Sequence, residues 1–188
     1  LRADEKVVLH EEEIRRALTR IAHEILERNP GDRVLALVGI LSRGAVIARR
    51  LQTELEQLLD SPVPLSELDI GFYRDDLAGR PEAPVVHASH IDFDVTGMTV
   101  VIVDDVLYTG RTARAAIEAL FDHGRPQRVQ LAVLADRGHR ELPIRPDYVG
   151  KNLPTSRGEH VHVRLREIDG VDEIAIAAAA GRVLEHTT

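Results

Sequence analysis

Asp104 and Asp105 end an apolar run in VVIVDDVLYTGRT (residues 100–112), and Thr109, Gly110, Arg111 and Thr112 follow almost at once. The two halves suit opposite chemistry. Carboxylates accept hydrogen bonds, so they hold hydroxyl groups or hydrated Mg²⁺ rather than an anion. A glycine turn that opens a helix offers free N–H groups and the positive end of the helix dipole to a phosphate. The two threonine hydroxyls add donors without any lysine. A ligand with hydroxyls at one end and a phosphate at the other, such as ribose 5-phosphate, satisfies both. The chain contains no G-x-x-x-x-G-K-[ST] and no G-x-G-x-x-G after a strand, which excludes a P-loop and a dinucleotide fingerprint. A phospho-acceptor aspartate at a strand end would leave TGRT without a role.

The elements around this stretch explain how it would be positioned. Residues 10–29 read as an amphipathic helix, with Ile14, Leu18, Ile21, Ile25 and Leu26 at helical spacing and acids in the first turn. RVLALVGI (33–40) is almost wholly apolar, as a strand buried on both faces must be. SRG (42–44) follows, then a helix from Ala45 to about Leu59. A further strand ends near Tyr73, and the charged, Gly- and Pro-rich residues 74–86 read as a flexible loop. VVHASHIDF (85–93) is a candidate returning hairpin arm. MTVVIVDD and RVQLAVLAD are two more buried strands, separated by the helix RTARAAIEALFDHG, and short strands and loops follow Asp136. Buried strands alternating with helices predict an α/β fold, a mostly parallel sheet flanked by helices. Ligands of such sheets bind at the carboxyl ends of the strands, where LSRG, DDVLYTGRT and ADRGHRELP all fall.

Bulk properties narrow the class. The 188 residues suit one domain, residues 1–188, with 44% apolar and 29% charged residues. No apolar run is long enough for a membrane span and the N-terminus lacks a signal-peptide shape; with no cysteine, a cytoplasmic setting is expected. A net charge of -7 argues against a chain that coats nucleic acid by bulk attraction, though not against a local basic patch.

The stretch from Asp104 to Thr112 closely resembles the phosphoribosyl-diphosphate (PRPP) binding motif of the type I phosphoribosyltransferases. The resemblance implies that family's fold with a small hood lobe, here drawn mainly from residues 137–188. It implies that Asp104 and Asp105 hold the ribose hydroxyls and, mostly through water and diphosphate, Mg²⁺. Tyr108, Thr109, Gly110, Arg111 and Thr112 then surround the 5-phosphate. Ser42, Arg43 and Gly44 match the family's diphosphate loop, and residues 74–86 fall where a loop closes over the reaction. Purine-using relatives carry a carboxylate where Tyr108 stands; a phenol is a poor base at neutral pH, so Tyr108 as general base is only a placeholder.

LDIGFYRDDL (68–77), DDVLYTGRT and DRGHRELPIRPDYVGKNLPTS (136–156) are similar to the bacterial pyrimidine-operon regulators that are also uracil phosphoribosyltransferases, and the likeness runs over essentially the whole chain. Gly71 and Phe72 depart from that pattern. The likeness implies UMP synthesis from uracil and PRPP. It also implies UMP- or UTP-dependent binding of the pyrimidine leader mRNA, favouring termination, by a homodimer that can pair into tetramers. DYVG (147–150) resembles a base-covering segment, so Tyr148 would stack on uracil, the Val149 backbone would read its edge, and Arg137 or Asp136 would add a polar contact. Thr19, Arg20, His23 and Arg28, with His139, Arg140, Arg145 and Lys151, would meet RNA, as guanidinium groups bind phosphate and stack on unpaired bases. Two alternatives stay open: a salvage enzyme with no regulatory role, and a regulator with negligible turnover.

Overall fold

A computed structural model describes residues 5–31, 34–70 and 91–178. The element order is β1 (Glu5–His10), α1 (Glu11–Arg28), β2 (Leu35–Ile40), α2 (Arg43–Leu59), β3 (Leu65–Leu68), β4 (Thr99–Leu107), α3 (Arg111–Phe121), β5 (Arg128–Asp136), β6 (Tyr148–Asn152), β7 (His160–Arg164), α4 (Arg166–Asp169) and β8 (Glu173–Ala177). The flexible loop expected over 74–86 and most of the hairpin arm expected over 85–93 lie outside the described residues; 91–93 form no strand.

Five strands form one parallel sheet in the order β3-β2-β4-β5-β6. Every residue of β2 is buried, as its unbroken apolar run requires, and Val100 to Val103 of β4 are equally enclosed. Helix α1 lays Ile14, Leu18, Ile21 and Ile25 on one face of the sheet, together with Ile47, Leu51 and Leu55 of α2. The other face packs on α3 through Ala115, Ala116, Ala119 and Leu120. Glu11, Glu12 and Glu13 oppose the α1 dipole, and Glu13 accepts the His10 N–H at 2.9 Å to close its first turn.

The hood is a separate antiparallel sheet, β1-β8-β7. It differs from the expectation of a hood built mainly from 137–188 in two ways. The N-terminal strand β1 is one of its edges, and β6 belongs to the main sheet. Arg164 ties the hood together by pairing with Glu5 of β1 and Glu173 of β8.

Candidate active site

Strand β4 runs on past its apolar stretch, carrying both acids beyond the edge of β2 before it ends at Leu107. Pairing with β5 persists to Leu107 opposite Asp136, and this holds the end of β4 in register. Asp104 is buried and Asp105 half-buried. Each is fixed by a backbone donor: Asp104 Oδ1 accepts from the Asp105 N–H at 2.9 Å, and Asp105 Oδ1 from the Val106 N–H at 2.8 Å. The turn that follows needs its glycine, because Gly110 has φ +95° where a side chain would be strained. Gly110 then caps α3, which puts the first turn of that helix at the cavity; there the Arg111 N–H donates to Thr109 Oγ1 at 3.3 Å.

The second loop begins helix α2 two residues earlier than its apolar spacing suggests, so Arg43 and Gly44 are already in the first turn, with Ser42 as N-cap. A Cβ on Gly44 would lie 2.5 Å from the Val103 carbonyl oxygen, so only glycine lets α2 approach β4 this closely. The Leu41–Ser42 peptide is cis.

These two helix starts and the end of β4 surround one cavity of about 530 Å³. Its lining includes Ser42, Arg43, Asp104, Asp105, Tyr108, and the whole of 109–112. Two segments far apart in the chain, both expected at the ligand site, thus line one cavity. Gly44 supports the cavity from beneath rather than lining it. Arg137 and Val161 close the opposite side. Arg137 is only 6% exposed: its Nη2 donates to the carbonyls of Ser156 at 3.1 Å and Glu159 at 2.6 Å, while its Nε is buried with no partner among the described residues. Its guanidinium carbon lies 4.1 Å from the centre of the Tyr108 ring, a cation–π contact, and His139 meets the same ring edge-on at 6.0 Å.

Tyr148 and Val149 do not line this cavity, contrary to expectation. Tyr148 is 1% exposed and points from β6 toward α1, away from the cavity. Its hydroxyl donates to Gln130 Oε1 at 3.0 Å and accepts from Asn29 Nδ2 at 3.1 Å. Burial pushes its phenol pKa upward, more than the Asn29 hydrogen bond lowers it. The Val149 carbonyl is taken by Arg20 Nη2 at 2.9 Å, and its side chain packs on the other face of the sheet. Neither the ring expected to stack on a base nor the Val149 carbonyl expected at its edge is among the lining of this cavity. The residue that was missed is Val161 of β7; the alternation in HVHVR marks a strand, but nothing local says that this strand roofs the cavity.

The basic residues expected on RNA fall into two groups. Helix α1 lies beside β6, so Thr19, Arg20, His23 and Arg28 share a side of the molecule with Lys151. His23, Arg28, Arg145 and Lys151 are exposed. Arg28 approaches Asp147 at 3.5 Å and lies 5.5 Å from the Tyr148 ring centre. Arg20 instead covers the outer edge of β6, donating to the carbonyls of Val149 and Gly150. Arg140 is committed inward as well, to the carbonyls of Ile144 at 3.0 Å and Tyr108 at 2.8 Å and to the Asp136 carboxylate. His139 Nε2 pairs with the Thr155 carbonyl. Arg140 is thus a brace for the 108–112 turn, not a free cation.

The phosphoribosyl transferase domain family matches residues 6–168. Among curated relatives, the bifunctional protein PyrR of Roseiflexus sp. (strain RS-1) is 62% identical over 173 residues, 92% of this chain and 94% of that protein. The bifunctional protein PyrR of Brevibacillus brevis is 57% identical, covering 92% of this chain and 97% of its own. Among solved structures, the hypoxanthine phosphoribosyltransferase of Trypanosoma cruzi in complex with IMP has a TM-score of 0.73 at 22% identity, covering 93% of this chain and 94% of the other. That last likeness is one of fold. The sequence identities go further: the chain belongs to the phosphoribosyl transferase family and, within it, to the bifunctional PyrR proteins.

Proposed function

We propose that the chain transfers a phosphoribosyl group from PRPP to uracil, giving UMP and diphosphate, and that it binds pyrimidine leader RNA when UMP or UTP occupies the same site. One observation carries the transferase half: two helix starts and two carboxylates converge on a single cavity. The 5-phosphate sits on 109–112, the ribose hydroxyls on Asp104 and Asp105, and the diphosphate on the N–H groups of the α2 start and on Arg43. The distribution follows charge, with anions on helix N-termini and hydroxyls on carboxylates.

Uracil fits between Val161 and Arg137. The unpartnered Arg137 Nε supplies a donor that a uracil carbonyl can accept, and Val161 covers part of the ring. Substitution forms the N1–C1 bond, breaks C1–O to diphosphate and releases one proton. Charge builds on the sugar as an oxocarbenium-like centre and on the departing oxygens, so the protein's work is orientation and electrostatic stabilisation. Tyr108 then acts as a platform for Arg137 in place of a base.

Mg²⁺ suits the donor set. Asp104 and Asp105 offer hard oxygens, but two side chains cannot complete an octahedral shell, so substrate oxygens and water would supply the rest. Bound Mg²⁺ would neutralise charge on the diphosphate.

For the regulatory half, the α1–β6 side carries Thr19, His23, Arg28 and Lys151, and the 137–145 segment brings Arg145. The family membership supports a soluble cytoplasmic homodimer, and no helix among the described residues is long and apolar enough to cross a membrane. Two measurements test the reading. Uracil, hypoxanthine and orotate are compared as acceptors with PRPP, and Asp104→Asn with Asp105→Asn is expected to abolish UMP formation. Leader RNA is then titrated with and without UMP against a scrambled RNA. Equal binding of both RNAs regardless of UMP would leave only the enzyme.

A further inference from the structure

Arg43 is the cation of the diphosphate loop, and a residue of the hood holds it. Arg43 Nη2 donates to both oxygens of Asp169 in α4, at 2.9 and 3.2 Å. We propose that Asp169 is a positioning residue for the transferase reaction, fixing the Arg43 guanidinium so that its remaining donors meet the diphosphate. The inference rests on the reading of Arg43 as a diphosphate ligand.

Placement separates Asp169 from the ligand contacts. Arg43 lines both the 530 Å³ cavity and an adjoining cavity of about 760 Å³ under the hood, whereas Asp169 lines only the second. The carboxylate therefore stands behind Arg43 as seen from Asp104 and the phosphate turn. It spends one of the three guanidinium nitrogens. Nε is buried, and Nη1 makes no hydrogen bond among the described residues, so Nη1 is left over for an anion.

Asp169 is itself anchored. Its Oδ2 accepts the Leu165 N–H at 2.9 Å. Burial alone would push its carboxyl upward; the Leu165 N–H, the Arg43 hydrogen bond and the charges of Arg43 and Arg164 outweigh that and hold it below the ordinary range. The hood segment that carries it is clamped to α2 by Arg50, which donates to Glu167 at 3.0 and 2.6 Å and to Asp172 at 2.7 Å. One helix thus begins with the cation and carries, two turns on, the clamp that fixes the cation's partner. An arginine has several rotatable bonds to order, and ordering them before the ligand arrives strengthens binding without a new contact.

Diphosphate and UMP discriminate this role from a general structural one, because UMP has no diphosphate to place. Asp169→Asn is expected to raise KM for PRPP and the inhibition constant for diphosphate by roughly threefold to tenfold, the scale of ordering one long side chain. UMP affinity and KM for uracil stay as in the wild type, and Asp169→Glu recovers part of the loss. Arg43→Gln must weaken diphosphate at least as much, and adding Asp169→Asn to it must cost little more, since the two act through one guanidinium. An Arg43→Gln protein with normal diphosphate binding would remove the diphosphate reading itself. A weakened Arg43→Gln beside a normal Asp169→Asn would overturn only the positioning role. So would an Asp169→Asn protein that loses UMP and diphosphate affinity equally, or one that binds diphosphate more tightly.

Discussion

Replacing Tyr148 with Phe decides whether this ring belongs to the core or to the base site. The hydroxyl makes two hydrogen bonds, to Gln130 and from Asn29. Their loss strands no buried group, because Asn29 Nδ2 still donates to the Ile25 carbonyl at 2.8 Å and to Gln130 Oε1 at 3.0 Å. The cost is therefore about 1–2 kcal/mol, two net hydrogen bonds without a desolvation penalty. Tyr148→Ala removes the ring as well and leaves a cavity beneath α1, raising the cost to about 3–5 kcal/mol. The pH dependence has a definite sign. Burial raises the folded-state phenol pKa above its unfolded value. The stability linked to the neutral phenol is complete below the unfolded value and is lost as pH rises through the folded one. The Phe protein should lack that alkaline loss. Calorimetric Tm at neutral and alkaline pH gives the stability terms, and steady-state KM for uracil gives the functional one. A lowered Tm with unchanged KM is expected. An unchanged Tm with a KM for uracil raised tenfold would refute the assignment of Tyr148 to the core.

Three further outcomes are expected. Gly44→Ala forces a Cβ against the Val103 carbonyl and within 3.1 Å of the Asp104 Cα, so it should cost about 1–3 kcal/mol and displace the 42–44 loop; thermal unfolding and KM for PRPP measure the two effects. Arg50→Met leaves the Asp172 carboxylate, 8% exposed, without its cation and should destabilise the hood by about 3 kcal/mol. In the wild type, burial pushes Asp172 upward but Arg50 and the Arg166 N–H outweigh it; its lowered folded pKa gives stability present above the unfolded value and lost as pH falls through the folded one, so the stability gap between Arg50→Met and the wild type should narrow as pH falls. UMP should slow hydrogen exchange at the Glu141 and Leu142 amides, which bond the Thr109 carbonyl at 2.9 and 3.2 Å, and equal exchange with and without UMP would uncouple that loop from the nucleotide.

Most of the fold was legible because buried parallel strands announce themselves. The runs at 35–40, 99–103 and 128–136 are largely apolar, and the helices between them keep a helical apolar stripe. The hood was less legible: β1 pairs with β8 across almost the whole chain, and no local pattern encodes a partner that distant. The glycine turn and the two acids were readable as a candidate site because their chemistry is contiguous. The opposite side of the cavity was not. Tyr148 sits in an edge strand whose inward position is set by Asn29 and Gln130, contacts 119 and 18 residues away. A clue was present in RVQLAVLAD, where Gln130 in a buried strand needs a buried polar partner. Val161 carries no chemical mark, and only the fold brings it over the cavity.

The two proposed activities share backbone atoms as well as a ligand. The Leu107 carbonyl accepts from the Arg137 N–H at 3.1 Å, the Tyr108 carbonyl from Arg140, and the Thr109 carbonyl from both Glu141 and Leu142. Arg111 pairs with Glu141 at 2.9 Å, and Leu142 and Ile144 pack close to Gly110. The segment that would present Arg145 to RNA is therefore assembled on the turn that would hold the nucleotide phosphate. A phosphate that orders 108–112 orders 137–145 with it, so RNA meets a loop whose conformational entropy is already reduced. In the proposed reading, diphosphate and PRPP would add a contact to Arg43, which Asp169 holds from the hood side. PRPP carries the same 5-phosphate as UMP, so both would bear on the 108–112 turn and only the diphosphate would add the hood side; coupling of nucleotide to the RNA face through this turn requires no second nucleotide pocket.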